Sequence, residues 1–272
     1  MNSRSYFDLK LLVLTAILFF SSHTMAQVKW VNTNEAYAPI PVGFDVFKTT
    51  DSLNGRPFIA YYIIADLKNK ALHFTTDTSY KRRLTPAQFY VKNNQPLLVV
   101  NATFFSFATN QNLNIVIKNS KLVSYNVHTI PGRGKDTFTF RHPFNGALGI
   151  SKKREADVAW VLSDSSKKTA FASQTVIPAA LDSVSNKSIR AMLSGASGVN
   201  DLSRLQNFKK WKMQTAIGGG PVLVQNAQVK ISNNEELKFV GKAIDDLHPR
   251  TLMGYTTGNK LIIMVIEGAT PE

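Results

Sequence analysis

The chain has no cysteine among its 272 residues. That absence excludes disulfides, a cysteine-linked lipid anchor, thiolate metal sites and a cysteine nucleophile. An apolar core must therefore hold the fold. Acidic residues are also short: 18 Asp and Glu stand against 32 Lys and Arg, giving a net charge of +14. The basic residues are scattered singly and in pairs, with no aromatic-basic motif or recognition helix, so a nucleic-acid partner is not expected. Attraction to anionic glycans, phosphates or a membrane surface fits the charge, and so does a plain solvated basic surface. No cluster of His and Asp has convincing metal-ligand spacing; Asp245, Asp246 and His248 are the one grouping, and such a trio is more often a solvated loop. No composition shift forces a domain boundary, and no apolar run after the N-terminus is long enough for a membrane helix.

The N-terminus is different. Arg4 and Lys10 make a basic start, Leu11 to Phe20 is apolar but short of the ~20 residues that span a bilayer, and Thr24-Met25-Ala26 resembles a small-residue cleavage site. Residues 1–26 thus read as an export signal, against an uncleaved anchor. The expected location is outside the cytoplasm, periplasmic or secreted, with no membrane span after signal cleavage.

Hairpin signals dominate the rest of the chain. Gly43 to Thr50 and Arg56 to Leu67 flank Asn54-Gly55. Ile115 to Val123 folds about Asn119-Ser120, and Val222 to Val229 has nearly the same pattern about Asn226-Ala227, a weak hint of duplication. Leu72 to Thr76 reads as a further strand. Thr85-Pro86 opens a short helix to about Asn93, with Thr as cap and Pro at the first helical position. Leu97 to Val100 reads as a buried strand ending on Asn101. Strands are expected at Ala147 to Ile150, Ala156 to Leu162 and Met213 to Ile217, a loop at Gly195 to Gly198, and a helix near Asp201 to Lys209. The fold class expected is α+β, mostly antiparallel curved β-sheets with a few helices. Residues 27–95 would form a β-rich segment packed on a main domain, 96–272.

Three stretches carry candidate chemistry. His248 to Glu267 reads as a hairpin whose second run, Leu261 to Ile266, is apolar throughout. A hairpin brings its far ends together, so His248 and Arg250 would meet Glu267 at one rim of a buried sheet, a cation and a carboxylate suited to an anionic substrate. Asn101-Ala102-Thr103-Phe104-Phe105 puts a polar residue at a strand mouth, where Asn101 either faces a cleft or closes a turn, and where the Phe pair either stacks on a sugar or fills the core. Gly218-Gly219-Gly220-Pro221 is neither a Walker loop nor a dinucleotide fingerprint. Its amides either hold an oxyanion or make a sharp turn.

Taken in order, these stretches resemble the phosphodiester glycosidases, the family that includes the lysosomal enzyme removing N-acetylglucosamine from a sugar phosphodiester. Asn101 to Phe105 resembles the family's Asn-Gly-Gly-Phe-Phe signature. Gly219 to Val224 with Asn226 resembles its Gly-Gly-Pro hairpin, His248 to Thr251 with Gly254 its Arg-Thr-Ala-Ile-Gly block, and Val265 to Gly268 its Val-Asp-Gly. Thr103 stands for a small residue, Glu267 for an Asp, and Ala269 for an Arg or Gln. No counterpart of the family's later Asp-Gly-Gly-Gly-Ser block is found, so the C-terminal part is expected to be missing.

The resemblance implies hydrolysis of a sugar-1-phosphodiester at its glycosidic bond, with a sugar phosphate or phosphorylated glycan as partner. Phosphate is already a good leaving group and mainly needs its charge held. Arg250 would do this bidentately, His248 would add a hydrogen bond or proton, and Glu267 would steer water. Asn101, Phe105 and Thr251 would bind the sugar, and the amides of Gly219 and Gly220 the phosphate. The sequence assigns no metal and leaves any cofactor unknown. The alternative is an exported glycan-binding protein, or an inactive relative, without catalysis.

Overall fold

The structure, a computed structural model, describes residues 28–132, 134–179, 181–182 and 207–268. In chain order the principal strands are β1 (Val31–Asn32), β2 (Phe44–Thr49), β3 (Ala60–Asp66), β4 (Val116–Lys118), β5 (Lys121–Ser124), β6 (Asn145–Ile150), β7 (Ala156–Asp164), β8 (Thr169–Ser173), β9 (Lys209–Lys210), β10 (Thr215–Gly218), β11 (Arg250–Tyr255) and β12 (Lys260–Ile266). They form a five-stranded sheet, β1-β2-β3-β12-β11, and a seven-stranded sheet, β9-β8-β7-β6-β10-β4-β5. Every pairing in the two is antiparallel.

The first sheet joins the two ends of the described chain. β3 pairs with β12 from Ala60↔Ile266 to Asp66↔Lys260. The N-terminal segment is therefore continuous with the C-terminal hairpin in one sheet. Its inner face meets the second sheet: Val46, Ile63 and Leu261 pack in one cluster with Leu148 and Ile150 of β6. Because successive residues of a strand face opposite ways, Ala147 of β6 joins a second cluster with Ile115, Val161 and Trp211. All six residues of β6 are buried, as a strand covered on both faces requires.

Local chemistry explains the turns. Asn54 and Gly55, Asn119 and Ser120, and Asn226 and Ala227 all have positive φ, the geometry that matches strand twist in tight hairpins. The sole α-helix among the described residues, α1 (Pro86–Lys92), has a full capping box between Thr85 and Gln88. The described part of the fold is thus β-rich, and among the described residues the few helices expected reduce to this one and short 3-10 turns.

Two expected strands do not form. Residues 72–76 run as irregular chain although Leu72 is buried. The carbonyls of Leu67, Asn69 and Leu72 are taken by the Arg154 guanidinium instead of a ladder. Residues 97–100 pair with no described strand, and Leu97 and Leu98 are exposed. The loop at Gly195 to Gly198 and residues 201–206 of the expected helix lie outside the described residues, while Lys209 belongs to β9.

Candidate functional site

The loop from Asn101 to Asn114 folds back on itself. Phe105 bridges to Asn112, Leu113 N–H donates to Phe104 O at 3.0 Å, and Ser106 N–H donates to Gln111 O at 2.8 Å. Arg83 lies across the outside, its guanidinium 5.3 Å from the Phe105 ring and 5.0 Å from Phe107, with Nε donating to Asn110 Oδ1 at 2.7 Å. Phe104 and Phe105 are not core residues. Both are exposed, and with Leu113, Val127, Ile130 and Pro143 they form the apolar lining of a cavity of about 330 Å³. Asn114, Asn145, Glu236 and Lys238 supply its polar lining.

Glu236 is only 1% exposed, yet it carries a carboxylate. Oε1 accepts from Val222 N–H at 2.8 Å, Trp160 Nε1 at 3.0 Å and Ser232 Oγ at 2.6 Å, and Oε2 accepts from Gly146 N–H at 2.7 Å. Four donors satisfy the oxygens that burial takes from water. This explains the glycine turn. Gly220 has φ +96°, and a Cβ there would lie 2.1 Å from Glu236 Oε2 and 3.1 Å from Lys238 Cε. Gly219 N–H donates to Gly146 O at 3.0 Å, so that amide is already used within the protein and is not open to an oxyanion.

The expected C-terminal hairpin forms, with Arg250 across from Ile266 and Thr251 across from Val265. Neighbouring side chains on a strand leave by opposite faces. Thr251 Oγ1 donates to Asn101 Oδ1 at 2.7 Å. Arg250 instead lays its guanidinium 5.1 Å from the Phe239 ring, and Phe239 meets Phe104 edge-on at 5.9 Å. Lys238 Nζ sits 5.1 Å from the other aromatic, Phe104. The Phe104–Phe239 pair is therefore flanked by two cations, Lys238 and Arg250, while Thr251 and Asn101 form a separate contact.

His248 and Glu267 stand apart from this pair. His248 is exposed and pairs with Asp246 at 3.3 Å. Glu267 is exposed, and its N–H extends the sheet to Ile59 O at 3.0 Å; its carboxylate has no hydrogen bond or ion pair with a described residue. The expected meeting of Glu267 with Arg250 is not made as an ion pair among the described residues. Nor do the described residues contain a group of three or more His, Asp or Glu that could hold a metal.

Burial pushes the Lys238 ammonium down to about 8, with the nearby Glu236 carboxylate opposing. A lysine so placed carries its charge at neutral pH and lies near its own titration point.

A family model for phosphodiester glycosidases matches residues 94–272. The chain belongs to the phosphodiester glycosidase family. The matched range holds Asn101, the cavity, the glycine turn and the whole C-terminal hairpin; Arg83, on the outside of the aromatic loop, lies before it. No curated protein matches the chain. A solved structure, "Crystal structure of a hypothetical protein from Synechocystis", is similar with a TM-score of 0.49 at 9% identity, covering 90% of this chain and 55% of that one. The chain thus spans little more than half the length of that protein.

Sequence reasoning missed Glu236, Lys238, Asn114, Asn145 and Phe239. Asn233 to Lys238 reads as a solvated polar loop, and its one cue is the Ser232–Glu236 spacing of four. Asn114 had a signal like that of Asn101, a polar residue at the entry to an apolar run.

Proposed function

We propose that the protein is a hydrolase that cleaves a sugar-1-phosphodiester at the glycosidic bond, releasing the sugar and a phosphomonoester. The observation that carries this reading is that Arg250 and Lys238, from separate stretches of the chain, each lie over one ring of the Phe104–Phe239 pair, with Phe104 and Lys238 lining the cavity. The motif stretches make two further contacts, Thr251 with Asn101 and Gly220 against Glu236 and Lys238. Membership of the phosphodiester glycosidase family supports this chemistry. Aromatic faces beside a cavity suit a sugar ring.

A phosphate ester leaves without the strong general acid that an alcohol needs, so the site's task is to hold negative charge. The Arg250 guanidinium makes only a long 3.5 Å contact to Asp246 O and has no carboxylate partner among the described residues. Its fork is open to phosphate oxygens. Asn101 and Thr251 present a joined amide and hydroxyl for sugar hydroxyls, and Phe105 on the cavity wall offers an apolar surface to the sugar. Glu267 steers water and His248 supplies a hydrogen bond at the rim. The excess of basic residues draws an anionic glycan toward the site. Residues 1–26 act as an export signal in this reading, so the substrate is met outside the cytoplasm. No helix among the described residues is long and apolar enough to cross a membrane.

The test is incubation with the methyl phosphodiester of N-acetylglucosamine-1-phosphate, both anomers, in ¹⁸O-water. Release of the sugar with ¹⁸O on its anomeric carbon supports the reading, and Arg250→Ala should slow it by roughly a hundredfold or more. Label in the phosphate would mean phosphorus–oxygen cleavage, and binding with no turnover would mean a glycan-binding protein. Either result overturns the proposal.

A further inference from the structure

We infer that Asn114 and Lys238 form an anion-binding pair inside the cavity and that this pair holds the phosphate of the substrate; the identity of the anion rests on the hydrolase reading. Asn114 is 2% exposed. Its Oδ1 accepts from Phe104 N–H at 3.1 Å, which fixes the direction of the amide. The NH₂ end donates to no described residue and belongs to a side chain lining the cavity. An amide donor on a cavity wall with no described protein acceptor is available to an acceptor that enters the cavity.

The second donor is charged. Lys238 lines the same cavity and touches the Phe104 ring face, and its ammonium makes no hydrogen bond or ion pair to a described residue. The carboxylate nearby belongs to Glu236, whose oxygens already take four donors. The lysine stem packs against Gly220, where a Cβ would stand 3.1 Å from Cε. Phe104 links the two donors, its N–H on Asn114 and its ring under Lys238. The cavity thus offers one neutral and one cationic donor beside an apolar wall, with Asn145 and the fully hydrogen-bonded Glu236 completing the polar side, a match for an oxyanion attached to a larger, partly apolar body. Since the Gly219 amide is used by Gly146, this pair takes the role that the Gly219 amide was expected to play.

Calorimetric titration of the full chain with inorganic phosphate, and separately with acetate, tests the pair. Lys238→Met and Asn114→Asp should each weaken phosphate binding at least tenfold. Asp keeps the acceptor for Phe104 N–H while replacing the donor with a repelling oxygen. Lys153→Met, on an exposed turn, controls for net charge and should bind as the parent does. If the parent protein takes no phosphate, takes acetate equally well, or is matched by both variants, the inference fails. Should a variant lose its circular dichroism signature, acetylation of Lys238 in the parent protein replaces it: phosphate should slow that labelling several-fold, and unchanged labelling refutes the pair. Sugar release is read separately. Phosphate binding that depends on the pair without turnover keeps the pair and sinks the hydrolase; turnover with phosphate affinity unaltered in both variants does the reverse.

Discussion

Thr251 Oγ1 donates a 2.7 Å hydrogen bond to Asn101 Oδ1 across 150 residues of sequence. The contact ties the aromatic loop to the first strand of the C-terminal hairpin, and so sets the loop's position relative to Arg250. If the pair works as a unit, Asn101→Ala and Thr251→Val should each lower kcat/KM by roughly a hundredfold, the loss expected when a site is misplaced by about 1 Å. The double variant should fall little further, since groups acting together are not additive. Losses that multiply would mean that the two residues meet the substrate independently.

Glu236 and Gly220 should instead govern stability. Glu236→Gln puts an NH₂ group against one of the donors that the carboxylate accepts, leaving a buried donor unpaired. Lost hydrogen bonds to a charged group cost about 1.5–3 kcal/mol. In a protein of this size that lowers Tm by roughly 4–10 °C. Gly220→Ala should do at least as much, because its Cβ would fall 2.1 Å from Glu236 Oε2 in a left-handed backbone. Calorimetric melts of the two variants decide this. A Tm within 1 °C of the parent, roughly the scatter of a melt, would mean the buried network relaxes freely.

What could be read in the sequence depends on how local its causes are. Asn54-Gly55 and Asn119-Ser120 fix their turns by their own backbone preferences, and Thr85-Pro86-Ala87-Gln88 carries its cap within four residues. Each was legible and each forms. Residues 72–76 and 97–100 have the composition of strands, but pairing depends on a distant partner. In the first case Arg154, far along the chain, takes the Leu72 carbonyl instead. The site divides in the same way. Motif stretches pointed to Asn101, Gly220, Arg250 and Thr251: Asn101 meets Thr251, Arg250 lies over Phe239, and Gly220 packs against Glu236 and Lys238. Glu236 was invisible because its burial depends on Gly146 and Trp160, 90 and 76 residues away.

Two partly buried groups should make the fold acid-sensitive in separate windows. Burial pushes His128 down to about 4, against a hydrogen bond to the Ser163 backbone that favours charge, and with help from His142. The folded state then binds fewer protons than the unfolded state, so stability falls as pH drops from about 6.5 to about 4. Asp77 acts lower. Burial alone would raise it, but hydrogen bonds from Lys118, Lys92, Asn93 and Thr78 N–H outweigh that and hold it well below the ordinary carboxylate range. Its contribution is complete above about pH 4 and is lost below that as the carboxylate protonates. Melting curves against pH should show both slopes, with His128→Gln flattening the upper and Asp77→Asn the lower. A lower slope that persists in Asp77→Asn would remove the bridge from α1 to β4 as its cause.

Lys238 predicts a dependence of opposite sign at alkaline pH. Its ammonium is lowered to about 8 by burial, against the Glu236 carboxylate that favours the charge. Phosphate affinity should therefore fall as pH rises through about 8, because the neutral amine no longer draws an anion. Binding of the anion should itself raise that midpoint, since the ligand prefers the protonated form. Stability runs the other way. Between about 8 and the ordinary 10.5 the unfolded chain holds a proton that the folded one has released, so this residue favours the fold increasingly as pH rises. Lys238→Arg, charged throughout, should keep phosphate binding at pH 9.5 relative to pH 7 where the parent loses it. Parallel titrations of parent and variant at the two values test this, and an equal loss in both would show that another group sets the alkaline limb.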